Sequence, residues 1–450
     1  MRWLFDRNWW ERAVLGVIAA LVAYQVFAEP IVGTADNRDW WRVTKQMGID
    51  YLPSPGPDAT FFKNIQREYR TARRQDVKYL TPEVPLGRVA VVVSRPFSHR
   101  GRFDLRWMGA VHSVAYLGAV WLFIAAFRRR ERWVRIAVGA FAIVTLTDAR
   151  IVAYFNSFYC ECAQTIFLIA SLGLALMLVD DALPPRRRLV CYGSFIVTSL
   201  LFFFAKTQDL VFCFPFAALA YWLCPPRVAR WWVKLGVVAL MLGAFVYGMK
   251  SDAYAVTNNI NVAVTLGEEI LPHSDTPDED LQELGNGDRA NVTFTRIAAF
   301  YAKRPLRWWR MAARRLHEAF THLPLGNFEV AQTGNGETNA YEQSRFDVFS
   351  AWKDRHYPRV LWFWIVMIAL YAVALVAKVR LGTSNDRSLA IINAMLVIGC
   401  ILEFIAVVTF EANGTEKHFF IFNVLVDFVI LLGVFELVVV ARLLRQRQTA

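Results

Sequence analysis

Apolar runs of about membrane length recur along this chain, and polar stretches of very unequal length separate them. An α-helix needs about 20 consecutive apolar residues to cross the hydrocarbon core of a bilayer. By this measure the sequence predicts an all-α polytopic membrane protein with about ten transmembrane helices. The predicted spans cover approximately residues 13–32, 107–127, 133–147, 162–179, 189–205, 210–223, 232–249, 360–377, 389–410 and 418–440.

Arginines gather in the short stretches between spans, for example at Arg128–Arg130 and Arg186–Arg188. A formal net charge of +12 would suggest nucleic acid as a partner of a soluble chain, but 56% of these residues are hydrophobic and the mean hydropathy is +0.31. Short cytoplasmic loops of membrane proteins are enriched in Lys and Arg. Ten spans with both termini in the cytoplasm place every arginine-rich short loop on that side. We therefore expect membrane lipids, and no nucleic acid, around this protein.

Two long polar segments fall on the opposite, external side. The prediction divides the chain into the first span with its N-terminus, an external loop, six spans, a second external loop, and three final spans with a cytoplasmic tail. These parts are residues 1–32, 33–106, 107–249, 250–357 and 358–450.

Patterns inside the two external loops predict further elements. Residues 61–69 have apolar side chains at helical spacing and suit an amphipathic helix in the membrane interface, whereas residues 88–94 form a short β-like run or an extended link. Residues 272–288 are acidic and rich in turn formers, so we expect a loop there. Residues 306–320 carry an apolar stripe with arginines on the other faces, which predicts a second interfacial helix.

Acidic and basic side chains gather at the external ends of the predicted spans. A charge near the membrane core costs roughly 2.5–3.5 kcal/mol on insertion scales, so such groups suggest a function. The candidate catalytic residues are Asp36 and Asp39, and the candidate substrate-binding or phosphate-binding residues are Asp148, Arg150, Glu161, Lys206, Gln208, Lys417 and His418.

This mixture of side chains suits a lipid phosphate substrate at a membrane surface. A carboxylate can take a proton from an acceptor hydroxyl as a general base, and cations can stabilise the charge on a departing phosphate. Because no nucleotide is supplied outside the membrane, the activated donor would be linked to a lipid.

Each group also has a purely structural interpretation. Asp36 and Asp39 could be ordinary loop carboxylates beside interfacial tryptophans. Asp148 and Glu161 could each pair with Arg150 for stability alone, and the other basic residues could pair locally or mark the interface.

The pattern resembles the GT-C glycosyltransferases, which are polytopic enzymes that use polyprenyl-phosphate sugars. The two large external loops lie between spans one and two and between spans seven and eight, as in the seven-span module of that superfamily, and acids follow span one where the family has its catalytic Asp. Residues 148–161 (DARIVAYFNSFYCE) are similar to the second external loop of bacterial hexose transferases of this type, and residues 417–423 (KHFFIFN) to their last span. Cys160 and Cys162 depart from the family, which has a small residue and often a proline there.

The resemblance implies that Asp36 is the catalytic base, with Asp39 as second choice. It implies a further acid in the second external loop, at Asp148 or Glu161. Basic residues near the phosphate map to Arg150, Lys206 and Lys417. Some relatives need a divalent metal, and the sequence leaves a need for Mg²⁺ or Mn²⁺ open.

We therefore expect an integral membrane glycosyltransferase of the bacterial plasma membrane. It would move a sugar, with inversion, from a polyprenyl-phosphate donor to a cell-surface glycan or glycolipid acceptor on the external face. Two alternatives stay open. A transporter or lipid-linked glycan flippase would place polar groups near the bilayer midplane, often in paired broken spans. A polysaccharide polymerase or ligase would use a diphosphate-linked oligosaccharide donor.

Overall fold

The computed structural model describes residues 7–29, 31–34, 36, 39–52, 67–98, 101–320, 326–327, 346–411 and 415–448. Helices dominate these residues, and the strands among them are only two to four residues long, which confirms the predicted fold class. The helices are α1 Arg7–Phe27, α2 Trp41–Met47, α3 Glu83–Ser94, α4 Arg106–Ala125, α5 Arg132–Thr145, α6 Ala149–Val152, α7 Glu161–Leu178, α8 Pro185–Phe203, α9 Cys213–Trp222, α10 Trp231–Lys250, α11 Ala255–Val264, α12 Pro277–Gly285, α13 Phe294–Lys303, α14 Pro305–Ala319, α15 Val348–His356, α16 Leu361–Leu381, α17 Ser384–Phe410, α18 Thr415–His418 and α19 Phe420–Gln448. The strands are β1 Val32–Gly33, β2 Ile49–Tyr51, β3 Glu68–Thr71, β4 Arg102–Asp104 and β5 Gly326–Asn327.

Seven helices of the described chain are long and apolar enough to cross a membrane, namely α1, α4, α7, α10, α16, α17 and α19. An eighth span results if α5 and residues Ala149–Asn156 are counted as one segment, which is bent by 58° at its break. The molecule is thus a multi-pass membrane protein. The two other predicted spans correspond to α8, whose first turn holds three arginines, and to the ten-residue α9, which follows a 3-10 turn.

Three local predictions need correction. Residues 88–94 are not extended but belong to α3, because the buried positions of this segment recur at helical rather than alternating spacing. The expected loop at 272–288 contains α12, which begins with a proline and three acids in its first turn, and these are favourable at a helix start. Of the helix predicted over 61–69, residues 61–66 lie outside the described residues, while Glu68–Thr71 is strand β3. The helix predicted over 306–320 is confirmed as α14, and its place in the membrane interface stays a prediction.

The chain forms two compact units. The first consists of residues 1–206, 223–228 and 322–353. The second consists of residues 207–222, 229–321 and 354–450.

The apolar helix α7 is at the centre of the first unit. It packs against α4 and α8, and 89% of its membrane-length window is buried inside the protein. Gly173 of α7 faces the backbone of α4, where an added Cβ would lie 2.6 Å from the Phe123 nitrogen and 2.8 Å from the Leu122 carbonyl carbon. The missing side chain at Gly173 therefore permits the close packing of these two helices.

A small antiparallel sheet follows α1 and α2 in the first unit. Gly48 ends α2 with φ of +79°, a left-handed conformation that suits glycine, and the chain turns directly into β2. Tyr51 of β2 pairs with Tyr69 of β3, which pairs in turn with Phe103 of β4. Because directly opposed residues share one face of a sheet, this register stacks three aromatic side chains on one face.

In the second unit, α16, α17 and α19 pack against one another, and α9 packs against α10 and α17. The amphipathic α14 contacts α17 and α18 with a buried face that includes Met311, Ala312 and Leu316. The apolar stripe recognised in the sequence therefore packs on protein in this unit.

The close packing of α4 on α7 is tested by Gly173→Ala. We expect the free energy of unfolding to fall by about 1–3 kcal/mol, because the new Cβ meets backbone atoms that cannot move as a side chain can. The matched control is Gly118→Ala on α4, where no atom lies within 4 Å of an added Cβ. This control should be neutral or slightly stabilising, since Ala favours a helix more than Gly does. Denaturant unfolding in detergent measures both variants, and equal stabilities would contradict the described contact.

Candidate functional site

A buried amide fixes the chain where it leaves α1. Asn156 donates from Nδ2 to the carbonyl oxygens of Val26, at 3.1 Å, and Val32, at 3.0 Å. Gln25 on α1 donates from Nε2 to the Thr147 carbonyl at 2.8 Å. Residues between spans three and four therefore hold both Val26, near the end of α1, and Val32 of β1.

Asp36 is buried, and both of its carboxylate oxygens accept hydrogen bonds. Oδ1 accepts from the backbone amides of Asp39, at 3.0 Å, and Trp40, at 3.2 Å, as an Asp side chain does when it closes a turn before a helix. Oδ2 accepts from the hydroxyl of Tyr51 on β2. Burial, followed by the charge of Asp36, raises the pKa of Tyr51 above its ordinary value, so this phenol keeps its proton. Asp36 thus has one oxygen held by the backbone and one directed at a hydroxyl.

Trp40, whose amide donates to Asp36, packs this part of the chain against the protein interior. Trp40 is fully buried, and its ring centroid lies 5.2 Å from that of Phe158, 5.7 Å from Tyr159 and 6.3 Å from Tyr69. The rings of Phe158 and Tyr159 meet Trp40 edge to face, a favoured arrangement for aromatic pairs. This aromatic cluster therefore fixes the turn that carries both loop-one acids.

Asp39 lies on a more open side of the same turn. Its side chain is 27% exposed and pairs with the Arg42 guanidinium at 3.0 Å. Arg42 also lies 5.6 Å from the ring centroid of Tyr79, and the Tyr79 hydroxyl lies 3.8 Å from Sγ of Cys160. Burial, with the nearby acidic charges, raises the pKa of the Cys160 thiol to about 12. Cys160 is thus a neutral, packed thiol.

Glu161 begins α7 and is paired although it is almost fully buried. Its Oε1 lies 3.0 Å from Nζ of Lys206, which is itself mostly buried. A negative charge in the first turn of a helix is also favoured by the helix dipole. The ion pair joins the start of α7 to the residues that follow α8.

Tyr159 links the loop-one acids to this ion pair. Its pKa is raised well above the ordinary value, first by burial and then by the charges of Asp36, Asp39 and Glu161. Its ring centroid lies 5.7 Å from that of Trp40, whose amide donates to Asp36, and Glu161 follows Tyr159 by two residues. The structure thus brings Asp36, Asp39 and Glu161, with the partner Lys206, to one region of the first unit.

Asp148 is engaged in backbone capping at the bend between α5 and α6. One oxygen accepts the Arg150 amide at 2.9 Å, and the other accepts the Ser350 amide at 2.9 Å, with a further hydrogen bond from the Ser350 hydroxyl. These bonds give Asp148 a structural function. Arg150 is buried nearby. A contribution of either residue to substrate binding stays a prediction.

Sequence analysis missed a fully buried acid–histidine pair in the first unit. Glu83 at the start of α3 places Oε1 2.7 Å from Nε2 of His112 on α4, and Oε2 accepts the Ala163 amide of α7 at 3.3 Å. Nδ1 of His112 lies 2.9 Å from the carbonyl oxygen of Phe155, which can only accept a proton, so Nδ1 is the donor of this hydrogen bond. In the sequence, Glu83 directly follows Thr81 and Pro82. An acid in a first turn marks a helix start, and this was the signal by which the sequence could have pointed to Glu83.

The second unit contains a separate polar network. Gln208 donates from Nε2 to the Glu403 carboxylate and, at 2.9 Å, to the His418 carbonyl. Its Oε1 lies 3.1 Å from Nδ1 of His418, and Nε2 of His418 lies 3.4 Å from Glu411. Glu411 also accepts a hydrogen bond from Nδ2 of Asn261 at 2.7 Å. Two of the predicted site residues, Gln208 and His418, are therefore hydrogen-bonded partners.

Lys417 and Arg315 are buried cations of the second unit. Lys417 is buried. Arg315, which the sequence pattern placed on a polar face of α14, is also buried, and this is a correction. Its Nη1 donates to the carbonyl oxygens of Glu411, at 2.8 Å, and Val408, at 3.2 Å, because the last carbonyls of a helix have no partner within it. Arg315 thus caps the end of α17.

The acids of the candidate site bind protein donors. Within the described residues, no three side chains of His, Cys, Asp or Glu form a group that could hold a metal ion. The acids described above are instead hydrogen-bonded to amides and hydroxyls or paired with cations.

Comparison with known protein families identifies the family of this chain. Residues 7–288 and 289–450 match the family described as the YfdI N-terminal transmembrane domain. Because the matched residues make up nearly the whole chain, the chain belongs to this family. No match was found among curated proteins, and none among solved structures.

The buried pair at the start of α7 is tested by Lys206→Met. We expect the free energy of unfolding to fall by about 3–5 kcal/mol, because the variant leaves the Glu161 charge buried beside an apolar side chain. The matched control is Lys303→Met, which removes a lysine that is 67% exposed from its pair with Glu283. The control should cost no more than about 1 kcal/mol. Denaturant unfolding in detergent gives both values.

A second substitution separates lost pairing from lost packing. Glu161→Gln in the Lys206→Met background removes the uncompensated charge, so most of the lost stability should return. A double variant as unstable as Lys206→Met, or equal effects of Lys206→Met and Lys303→Met, would show that the ion pair does not stabilise this region.

Proposed function

We propose that this multi-pass membrane protein is a glycosyltransferase of the GT-C type. It would transfer a sugar from a polyprenyl-phosphate donor to a glycan or glycolipid acceptor on the external face of a bacterial plasma membrane. Membership of the family supports the class, since YfdI is described as a glycosyltransferase-like membrane protein. The grouping of three carboxylates and a lysine in the first unit supports a reaction that moves a proton beside a phosphate.

The observation that carries the proposal is the geometry of Asp36. A general base must keep its carboxylate in place and direct an oxygen at an O–H group. Oδ1 of Asp36 is held by two backbone amides, and Oδ2 accepts a hydroxyl hydrogen bond from Tyr51. The Tyr51 hydroxyl takes the position in which an acceptor hydroxyl would meet the base. We therefore assign the base to Asp36 and keep Asp39 as the second choice.

The proposed reaction is one displacement. The acceptor hydroxyl gives its proton to Oδ2 of Asp36 as its oxygen forms a bond to the anomeric carbon. The bond between this carbon and the phosphate oxygen breaks, and polyprenyl phosphate leaves with the electron pair. A single attack from the opposite face inverts the anomeric carbon.

Cations near the acids are assigned to the phosphate. Arg42 pairs with Asp39 and Lys206 pairs with Glu161, so each is held in place before a substrate binds. Fixed cations stabilise charge that develops on a leaving group without having to reorganise. Arg150, Gln208, Lys417 and His418 stay proposed substrate-binding residues, and Asp148 and Glu161 the proposed further acids.

The base assignment is tested by Asp36→Asn. Transfer should fall by at least about 100-fold, the usual contribution of a general base, while the protein still folds because the Asn oxygen can accept the same two backbone amides. The measurement is sugar transfer by purified protein in detergent, with a panel of polyprenyl-phosphate sugars and a lipid and glycan extract as acceptors. The matched control is Asp39→Asn, which removes the same charge three residues away and should lower transfer by no more than about tenfold.

Three other outcomes of this experiment would each contradict a different part of the proposal. A large loss only in Asp39→Asn would move the base to Asp39. Full activity of both variants would contradict the site. No transfer by the wild type from any donor, together with substrate movement in proteoliposomes, would contradict the enzyme class in favour of a transporter.

The hydroxyl that contacts Asp36 is tested by Tyr51→Phe. If the acceptor takes the place of this phenol, removal of its oxygen should leave transfer within about tenfold of wild type. Tyr69→Phe is the matched control, because Tyr69 is a buried phenol whose ring centroid lies 5.5 Å from that of Tyr51. A loss of more than about 100-fold in Tyr51→Phe alone would mean that Tyr51 itself transfers the proton.

A further inference from the structure

A cavity of about 530 Å³ opens in the first unit at its arginine-rich end, away from the residues assigned to transfer. It lies between the end of α4, the end of α7 and the start of α8. Its lining combines apolar and basic side chains. Among them are Trp121, Met177, Val190, Arg129, Arg186 and Arg187.

Protein carboxylates balance only part of the positive charge in this cavity, whose lining also includes Asp180. Arg128 is held by Glu11 at 2.5 and 2.6 Å, and Arg129 by Asp180 at 3.0 Å. Within the described part of the chain, neither hydrogen bond nor ion pair joins Arg186 or Arg187 to another residue. Two lining guanidinium groups are therefore available to an anion.

The helix that carries these two arginines adds to the attraction. Arg186 and Arg187 lie in the first turn of the 19-residue α8, after Pro185 at its start. The amide groups at a helix N-terminus favour an anion, and a guanidinium can bind two phosphate oxygens at once. The polar part of the cavity thus suits a phosphate group.

The apolar part of the cavity suits a hydrocarbon chain. Trp121 is 43% exposed and Val190 is 68% exposed, although both are large apolar residues of helices that start or end here. In a bilayer these surfaces face acyl chains. A ligand with a phosphate at one end and a hydrocarbon chain at the other therefore matches both parts of the lining.

We propose that this cavity is a binding site for an anionic phospholipid, whose phosphate contacts Arg186 and Arg187 and whose acyl chain lies along Trp121 and Val190. Basic pockets between transmembrane helices are the sites at which anionic head groups bind. The site is separate from the proposed transfer reaction and does not depend on it.

Binding is measured on the purified full chain in detergent by native mass spectrometry. Phosphatidylglycerol is compared with phosphatidylcholine of the same acyl chains, which has no net charge. We expect at least tenfold tighter binding of phosphatidylglycerol. The double variant Arg186→Gln/Arg187→Gln should weaken it by about 30-fold, since one basic side chain near an anionic lipid contributes about fivefold. The control Arg130→Gln/Arg132→Gln removes the same charge from exposed positions outside the cavity lining and should change binding less than threefold.

Cys191 provides a second readout at the site itself. It lines the cavity and is partly exposed, whereas the other five cysteines are buried. Phosphatidylglycerol should slow the alkylation of Cys191 by N-ethylmaleimide at least fivefold, phosphatidylcholine should not, and Arg186→Gln/Arg187→Gln should remove the protection.

Three results would overturn the proposal. Equal affinity for the two lipids would show that the net charge of the lipid does not contribute to binding. Equal losses in the two double variants would show that the attraction is not located in this cavity. Protection of Cys191 by inorganic phosphate at the same concentrations as by phosphatidylglycerol would identify an anion site that does not recognise lipid.

Discussion

The pairing of Glu161 with Lys206 is the interaction on which the arrangement of the first unit depends. Glu161 starts α7, and the body of this helix is buried between α4 and α8. A helix in the centre of a protein brings its first charged residue into the interior with it. An unpaired buried charge would be costly, so the position of α7 requires a cation at the same depth. Lys206 supplies it from the segment after α8, and the two ends of the α7–α8 hairpin are thereby fixed to each other.

A second set of buried polar and aromatic contacts brings the loop-one acids to this region. Asn156, between the third and fourth spans, holds carbonyls on both sides of the point where the chain leaves α1. The turn that follows is closed by Asp36 and packed by Trp40. An acid near the end of a span is often only a loop residue, but here it is held from both sides. Such support is what a catalytic group needs, because a displacement of about 1 Å can lower a rate by about 100-fold.

The apolar pattern was sufficient to predict the fold class, because bilayer thickness sets the length of a spanning helix. Short elements were harder to predict, because local propensity and tertiary packing disagreed there. The valines of α3 favour a strand by propensity, yet packing against α4 makes the segment a helix. Arg315 lies among the arginines of α14 in sequence, but the carbonyl groups at the end of α17 are its partners, and no local pattern could identify them.

Among the candidate site residues, the sequence could identify charged positions but not the state of each charge. Asp148 and Asp36 both follow the end of a predicted span. Asp148 caps a helix and accepts hydrogen bonds from Ser350, whereas Asp36 accepts a hydrogen bond from the Tyr51 hydroxyl. Glu83 was not distinguished at all, since its partner His112 lies in another span. The carboxylates of Asp148 and Asp36 differ in how the amide donors are distributed over their oxygens. On Asp148 each oxygen accepts a backbone amide, and the Ser350 hydroxyl is added to one of them. On Asp36 the two amides are on Oδ1, whereas Oδ2 accepts the Tyr51 hydroxyl, which the acceptor hydroxyl would replace in the proposed reaction.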